Sequence, residues 1–98
     1  MLEIRETEEF ANWLEGSRDR VGKAKVLVRI QRLASGNPGD VKPVGDGISE
    51  LRINYGPGYR IYYIRQGTAF IILLCGGDKG SQEKDIAKVR KLAAELEV

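Results

Sequence analysis

The 98-residue chain contains no histidine and only one cysteine, Cys75. Without histidine, a Ser-His or Cys-His nucleophile is excluded, and so is a zinc site built from Cys and His ligands. A single cysteine cannot close a disulfide within the chain, so a reducing cytosol is the compartment that fits best. No motif calls for a metal or a cofactor, and we expect neither.

Long apolar stretches are missing as well. No run reaches the ~18 residues that span a bilayer, and the acidic opening MLEIRETEEF lacks the apolar segment of a signal peptide. We therefore expect a cytoplasmic protein with no membrane partner. A large surplus of one charge is also absent, because the net charge is only +2. Any argument for nucleic-acid binding must therefore rest on where the charges lie.

The chain has the length and the apolar content of a single domain, residues 1–98, with 42% hydrophobic residues. Two helices are predicted in its first third. Thr7 is expected to cap a helix that ends at Gly16, and Asp19 to cap a second helix that ends near Ala34. Since few residues separate them, we expect the two helices to form an antiparallel hairpin.

Short strands dominate the remainder of the pattern. A first strand is predicted around Leu2 and Ile4, and others at residues 41–44, 48–54, 59–64 and 70–75. Ser81 is expected to cap a final helix. The predicted fold is therefore α+β, with an N-terminal helical hairpin packed on a small antiparallel meander sheet and a C-terminal helix.

Burial selects the register of the hairpin formed by strands 48–54 and 59–64, because a slip of one residue turns every side chain to the other face. Pairing Leu51 with Ile61 keeps one face apolar, and it sets Arg52 directly opposite Arg60 on the other face.

Such a pair of like charges disfavours the sheet by ~0.2–1 kcal/mol. An anion between the two guanidiniums would reverse that sign, and arginine forks suit phosphate oxygens. The alternative is that both arginines are solvated and splay apart, with Glu50 or Asp78 nearby.

The last predicted strand is apolar on both faces, as is typical of an interior strand. It is followed by the sequence GGDKG. Gly76 and Gly77 allow a sharp bend that brings Asp78 and Lys79 beside the arginine-bearing strands. The helix that follows Gly80 offers free backbone N–H groups, which also attract anions. Lys79 is therefore a candidate to complete a phosphate site, although an ordinary strand-to-helix turn would also explain the segment.

Two stretches, GISELRINYGPGYRIYY and ILLCGGDKGSQEKDI, resemble the RelE/ParE superfamily of type II toxins, and more narrowly the HigB-like addiction module killer proteins. The resemblance covers nearly the whole chain. It implies a RelE-like fold and a ribosome-dependent mRNA endonuclease that leaves 2′,3′-cyclic phosphate ends. It also implies three partners: the ribosome, mRNA and a cognate antitoxin of the helix-turn-helix type.

By position, Arg60 and Lys79 match the basic residues with which that superfamily contacts phosphate, and Arg52 and Lys42 match less firmly. The lysine of the family is followed by hydroxyl-bearing residues, whereas here Gly80 precedes Ser81, so the chain departs from the family pattern directly after Lys79. The candidate catalytic residues are Arg60, Lys79, Arg52 and Asp78. The candidate RNA-binding residues are Lys42, Tyr55, Arg18, Lys25, Arg29 and Arg32, the last four on one predicted stripe of the second helix.

Two other functions stay open at this point. ParE-like members of the superfamily act on DNA gyrase and do not cut RNA. A non-catalytic module could also bind nucleic acid through the basic face of the sheet without cleaving it. The stripe on the second helix has its own alternative, which is a solvated helix face.

Overall fold

A five-stranded sheet organises the chain in the computed structural model, which describes residues 1–96. The strands lie in the order β1-β5-β4-β3-β2, with β2 to β5 forming an antiparallel meander. The prediction of a purely antiparallel sheet was wrong in one respect, because β1 pairs with β5 in parallel. β1 thereby covers an apolar strand edge that would otherwise be open to pairing with another chain. The strands are β1 (Glu3–Glu6), β2 (Val41–Gly45), β3 (Ile48–Ile53), β4 (Tyr59–Gln66) and β5 (Phe70–Asp78).

Three α-helices accompany the sheet: α1 (Glu8–Glu15), α2 (Arg20–Ala34) and α3 (Gln82–Leu96). The caps predicted for the first two are confirmed. Thr7 accepts a hydrogen bond from the Phe10 amide at 3.0 Å, and Asp19 accepts one from the Gly22 amide at 2.9 Å. Within residues 1–96, no helix combines the length and the apolar character needed to cross a membrane.

The chain enters α3 through a short 3₁₀ turn, Lys79–Ser81, and here the predicted cap was wrong. Asp78 caps this turn through bonds from the Gly80 and Ser81 amides, while the Ser81 hydroxyl accepts from the Asp78 amide. Ser81 is therefore the far member of a capping box rather than the cap itself.

The N-terminal helices do not form a clear hairpin, contrary to expectation. Each turns its apolar side toward the sheet, so that Phe10 of α1 and Val26 and Leu33 of α2 share one buried cluster with strand residues. α3 packs on the opposite face, where Val89 lies in a second cluster. The sheet is thus covered by α1 and α2 on one face and by α3 on part of the other.

β5 contains a β-bulge that the alternating pattern did not indicate. Tyr63 faces Leu73, but the next pair along is Tyr62 with Cys75, so Leu74 has no partner on β4. Strict alternation would have placed Cys75 on the face of Leu73. Instead Leu74 and Cys75 both join the cluster beneath α3. The extra residue shifts by one position everything that follows it in β5.

Because of that shift, Gly77 rather than Gly76 lies opposite Arg60. Both glycines are needed for packing. A Cβ on Gly76 would lie 2.2 Å from the ring of Trp13, and one on Gly77 would lie 1.9 Å from the carboxylate of Asp85. The glycine pair at the end of β5 therefore lets α1 approach one face and the start of α3 approach the other.

Gly76→Ala should lower the free energy of unfolding by ~1–3 kcal/mol, the usual cost of overpacking. Chemical denaturation measures it. Trp13→Leu removes the ring that the new methyl group would overlap, so the alanine should cost clearly less in that background. An equal cost in both backgrounds would show that contact with Trp13 is not the reason for the glycine.

Candidate functional site

Arg52 and Arg60 lie directly opposite each other on β3 and β4, which confirms the predicted register. Their side chains are 32% and 13% exposed, so each side chain is partly covered but still reaches solvent. We call the side of the sheet that carries Glu50, Arg52 and Arg60 the arginine face. It is the side of the sheet on which α3 packs.

The carboxylate of Glu50 lies between the two arginines and is completely buried. Its Oε1 accepts a hydrogen bond from Arg52 Nε at 2.9 Å and lies 3.8 Å from Arg60 Nε. Its Oε2 accepts a bond of 2.6 Å from Gln82, the first residue of α3. The fold therefore supplies its own anion between the opposed arginines, and they do not simply splay apart into solvent.

Burial by itself would raise the pKa of Glu50. Hydrogen bonds from Arg52 and Gln82, together with the positive charge of Arg52, outweigh burial and leave the pKa below its usual value. The carboxylate is therefore ionised at neutral pH. Its cross-strand neighbour Tyr62 is fully buried, and within residues 1–96 its hydroxyl has no hydrogen-bond partner. Burial, followed by the charge of Glu50, raises the pKa of Tyr62.

Lys79 is exposed at the end of the sheet that carries Arg60. A Cβ placed on Gly58 would lie 3.3 Å from Lys79 Cβ and 3.5 Å from Arg60 Nη1, so both residues border the same turn. Asp78, a predicted catalytic residue, uses Oδ1 to accept the amides of Gly80 and Ser81. The geometry gives Asp78 a structural task, because it fixes the turn on which Lys79 stands.

The predicted RNA-binding residues are divided between the two faces. Lys42 lies opposite Glu50 on β2 and so shares the arginine face. Lys25 and Arg32 are exposed on α2, which packs against the opposite face. Arg18 was placed wrongly on the helical stripe, because α2 begins only at Arg20.

Arg29 has a structural role that the stripe did not predict. Its Nη1 donates to the carbonyl of Arg52 at 2.6 Å, and its Nη2 donates to the carbonyls of Pro38 and Asp40 at 2.9 and 3.2 Å. The guanidinium therefore ties α2 to the edge of the sheet. The groove beside it, about 510 Å³ in volume, is also lined by Lys25, Arg32 and Tyr55.

Tyr55 is half-buried, with the ammonium of Lys25 5.1 Å from the centre of its ring. Tyr59 donates its phenolic proton to Asp19 Oδ2 at 2.6 Å. That hydrogen bond, with burial and the charge of Asp19, raises the pKa of Tyr59 to about 12. Tyr59 is therefore a poor proton acceptor at neutral pH.

Gln82 is a site residue that was not expected, and Glu50 was expected only as a possible neighbour of the arginines. An acidic residue two positions before Arg52 on one strand falls on the same face, so the Glu-x-Arg spacing could have indicated the ion pair. No local signal pointed to Gln82, because its contact spans 32 residues of chain. Among residues 1–96, no group of three or more His, Cys, Asp or Glu side chains is arranged to hold a metal ion.

The family described as "Phage derived protein Gp49-like (DUF891)" matches residues 8–96, from the start of α1 to the end of α3. This chain belongs to the Gp49-like family. The family is of the toxin–antitoxin type and is related to the RelE/HigB-like toxins.

Two similar proteins extend the comparison of this Gp49-like chain. An uncharacterized protein of Haemophilus influenzae is 50% identical over 95 residues, which cover 97% of this chain and 96% of that protein. The solution structure of a conserved hypothetical protein from Helicobacter pylori matches with a TM-score of 0.51 and 22% identity. That match covers 82% of this chain and 97% of the other. At such an identity the likeness concerns the fold alone.

Arg29→Ala should lower the free energy of unfolding by about 2 kcal/mol, because it removes hydrogen bonds from a charged group to backbone carbonyls. Arg32→Ala is the matched control, since Arg32 is exposed on the same helix of this Gp49-like protein. It should change stability by less than ~0.5 kcal/mol. Urea denaturation of both variants measures the difference. Equal effects would contradict the structural role of Arg29.

The stability of the protein should depend on pH through Glu50. A carboxyl group whose pKa is lowered by folding stabilises the native state above its unfolded pKa, ~4.3 for Glu. That contribution is lost as the pH falls through the folded pKa. We expect Glu50→Gln to flatten the fall in unfolding free energy below pH ~4.3, measured by urea denaturation at a series of pH values. Parallel curves for the two proteins would contradict the lowered pKa.

Proposed function

We propose that this Gp49-like protein is the toxin of a type II toxin–antitoxin system, of the HigB-like kind, and that it cuts mRNA on the ribosome. The observation that carries the proposal is the placing of Arg52 opposite Arg60 on one sheet face, with Lys79 on a turn that borders Arg60. Glu50 offsets one of the two arginine charges from inside the fold. The positive charge that is left faces solvent, where a phosphodiester would neutralise it.

The proposed reaction needs only the RNA itself as nucleophile. The 2′-hydroxyl oxygen attacks the adjacent phosphorus, the bond from phosphorus to O5′ breaks, and the products are a 2′,3′-cyclic phosphate and a 5′-hydroxyl. One proton leaves the 2′-hydroxyl and one reaches O5′. Negative charge grows on the phosphoryl oxygens in the transition state, and cations held in place beside them stabilise it. Arg52, Arg60 and Lys79 have this role in the proposal.

Proton transfer falls to Lys79 in this scheme. Tyr59 is committed to Asp19, and Asp78 accepts the amides of its own turn. The ribosome would supply the orientation of the 2′-hydroxyl, which is a large part of the barrier in such intramolecular attacks. A protein with little acid–base chemistry of its own would then be active only on ribosome-bound mRNA.

The remaining exposed lysine and arginine side chains are suited to contacts with the phosphate backbone of RNA. Lys42 extends the arginine face, while Lys25, Arg32 and Arg18 lie on the α2 side of the molecule. In the proposal these contacts seat the protein on the ribosome, with Tyr55 available for stacking at the groove. Such binding weakens as salt rises. A cognate antitoxin of the helix-turn-helix type completes the set of partners.

Arg60→Ala and Lys79→Ala should each slow cleavage of ribosome-bound mRNA by about 10²–10³-fold, as the loss of one transition-state donor does elsewhere. Mapping transcript ends on programmed ribosomes with purified protein measures the rate. Lys91→Ala is the control, because Lys91 is exposed on α3 and its substitution also removes one positive charge. It should cleave as the wild type does.

Full activity in both the Arg60 and Lys79 variants would refute the nuclease site. Growth arrest with intact transcripts and inhibited DNA supercoiling would instead favour a ParE-like action on gyrase. Expression without any growth arrest would favour a non-catalytic nucleic-acid-binding module.

A further inference from the structure

We propose that Glu50 and Gln82 are positioning residues of the arginine face: Glu50 orients both guanidiniums, and Gln82 fixes that arrangement to α3. The inference rests on the proposed RNA cleavage. Neither residue contacts the substrate in that scheme, so their variants should behave differently from variants of the phosphate-contacting cations.

The contacts of Glu50 define the orientation. Oε1 meets the Nε edge of Arg52 at 2.9 Å and faces the Nε edge of Arg60 at 3.8 Å. Arg60 Nη1 is turned back to the carbonyls of Gly58 and Tyr59, at 3.2 and 3.4 Å. Within residues 1–96, neither Nη of Arg52 nor Nη2 of Arg60 donates a hydrogen bond. The carboxylate thus engages both guanidiniums by one edge, and three N–H₂ groups are left for an outside anion.

Stability alone is a weak reason for this arrangement. Glu50 is fully buried, and replacing a buried ion pair by apolar groups of similar size is often neutral or stabilising. Arg60 Nε is also buried, and it has no hydrogen bond to any of the described residues 1–96. A buried polar cluster in which some groups lack hydrogen bonds costs stability. Orientation of the two arginines for an outside anion would explain why the fold keeps this cluster.

Gln82 connects the carboxylate to the third cation. It is the first residue of α3, directly after the 3₁₀ turn that carries Lys79, and it donates to Glu50 Oε2 at 2.6 Å. The same turn is held on the other side by Ser81, which donates to Asp85 Oδ2 at 2.5 Å. Gln82 therefore connects the turn that carries Lys79 to the carboxylate between the two arginines, although these groups come from separate segments of the chain.

Glu50→Gln separates orientation from charge. Removing a negative charge beside the arginines should strengthen RNA binding, and we expect KM to fall about fivefold at low ionic strength. Loss of orientation should lower kcat by about 10²-fold, the scale for a 1 Å misplacement. A side chain that served only folding would not move KM and kcat in this way, because a smaller folded fraction lowers the apparent kcat and leaves KM unchanged.

Gln82→Ala tests the tether without a change of charge, and it keeps the inference testable if Glu50→Gln fails to fold. Gln82 is half-buried at a helix start, so the variant should fold. Its kcat should fall about tenfold, as after loss of an outer hydrogen-bond partner, with KM within about twofold. The matched control is Glu83→Gln, which removes an exposed acid from the same helical turn. It should keep the wild-type kcat.

The assay is mRNA cleavage on programmed ribosomes, with circular dichroism and urea denaturation of each variant. A lowered kcat in the Glu50 and Gln82 variants, with the two KM responses given above, supports the inference. A kcat equal to that of Glu83→Gln in both variants overturns it and leaves the proposed function standing. A loss of activity that only follows the folded fraction also overturns the inference and leaves the proposed function standing. If the wild type does not cleave ribosome-bound mRNA, the proposed function fails first, and the inference fails with it.

Discussion

The buried carboxylate of Glu50 holds together the end of the sheet where two arginines face each other. Arg52 and Arg60 face each other on adjacent strands, where two positive charges repel, and Glu50 supplies the compensating charge from within the sheet. One carboxylate cannot neutralise two guanidiniums. The arrangement therefore keeps a positive charge at the surface while it restrains the groups that carry it. Fixed donors with surplus charge are what stabilise a phosphodiester that gains negative charge.

Close packing at the end of β5 sets where that charge lies. The β-bulge at Leu74 moves Gly77 opposite Arg60, and the absence of a side chain there lets Asp85 and Ser81 of the following segment approach the sheet. On the other face Trp13 rests on Gly76 in the same manner. The turn that bears Lys79 thus begins where both faces of β5 are closely packed. The backbone of that turn is anchored at this point, although the Lys79 side chain is exposed.

The candidate RNA-binding residues do not all lie on the same face of the sheet. Those of the arginine face lie on the side of α3, whereas those of α2 lie across the sheet, and Arg29 is used to join α2 to the sheet edge. The small net charge of +2 is consistent with positive charge that is concentrated locally. A positive site can be built locally without a strongly basic chain, provided that its cations are gathered by the fold.

Much of this architecture could be predicted from sequence because it depends on local chemistry. The caps at Thr7 and Asp19 and the apolar pairing of Leu51 with Ile61 follow from near neighbours, and that pairing also set Arg52 opposite Arg60. The sharp bend expected at Gly76 and Gly77 was wrong, because both glycines pair with β4 and β5 continues to Asp78. Other features depend on contacts between distant segments. Four features arise only when sheet and helices pack together: the parallel pairing of β1, the bulge in β5, the burial of Glu50 and its bond to Gln82. The residue pattern is thus enough to predict which charges face each other across the sheet. Which anion lies between them depends on packing, since the desolvation that makes a buried ion pair specific exists only after the chain has folded.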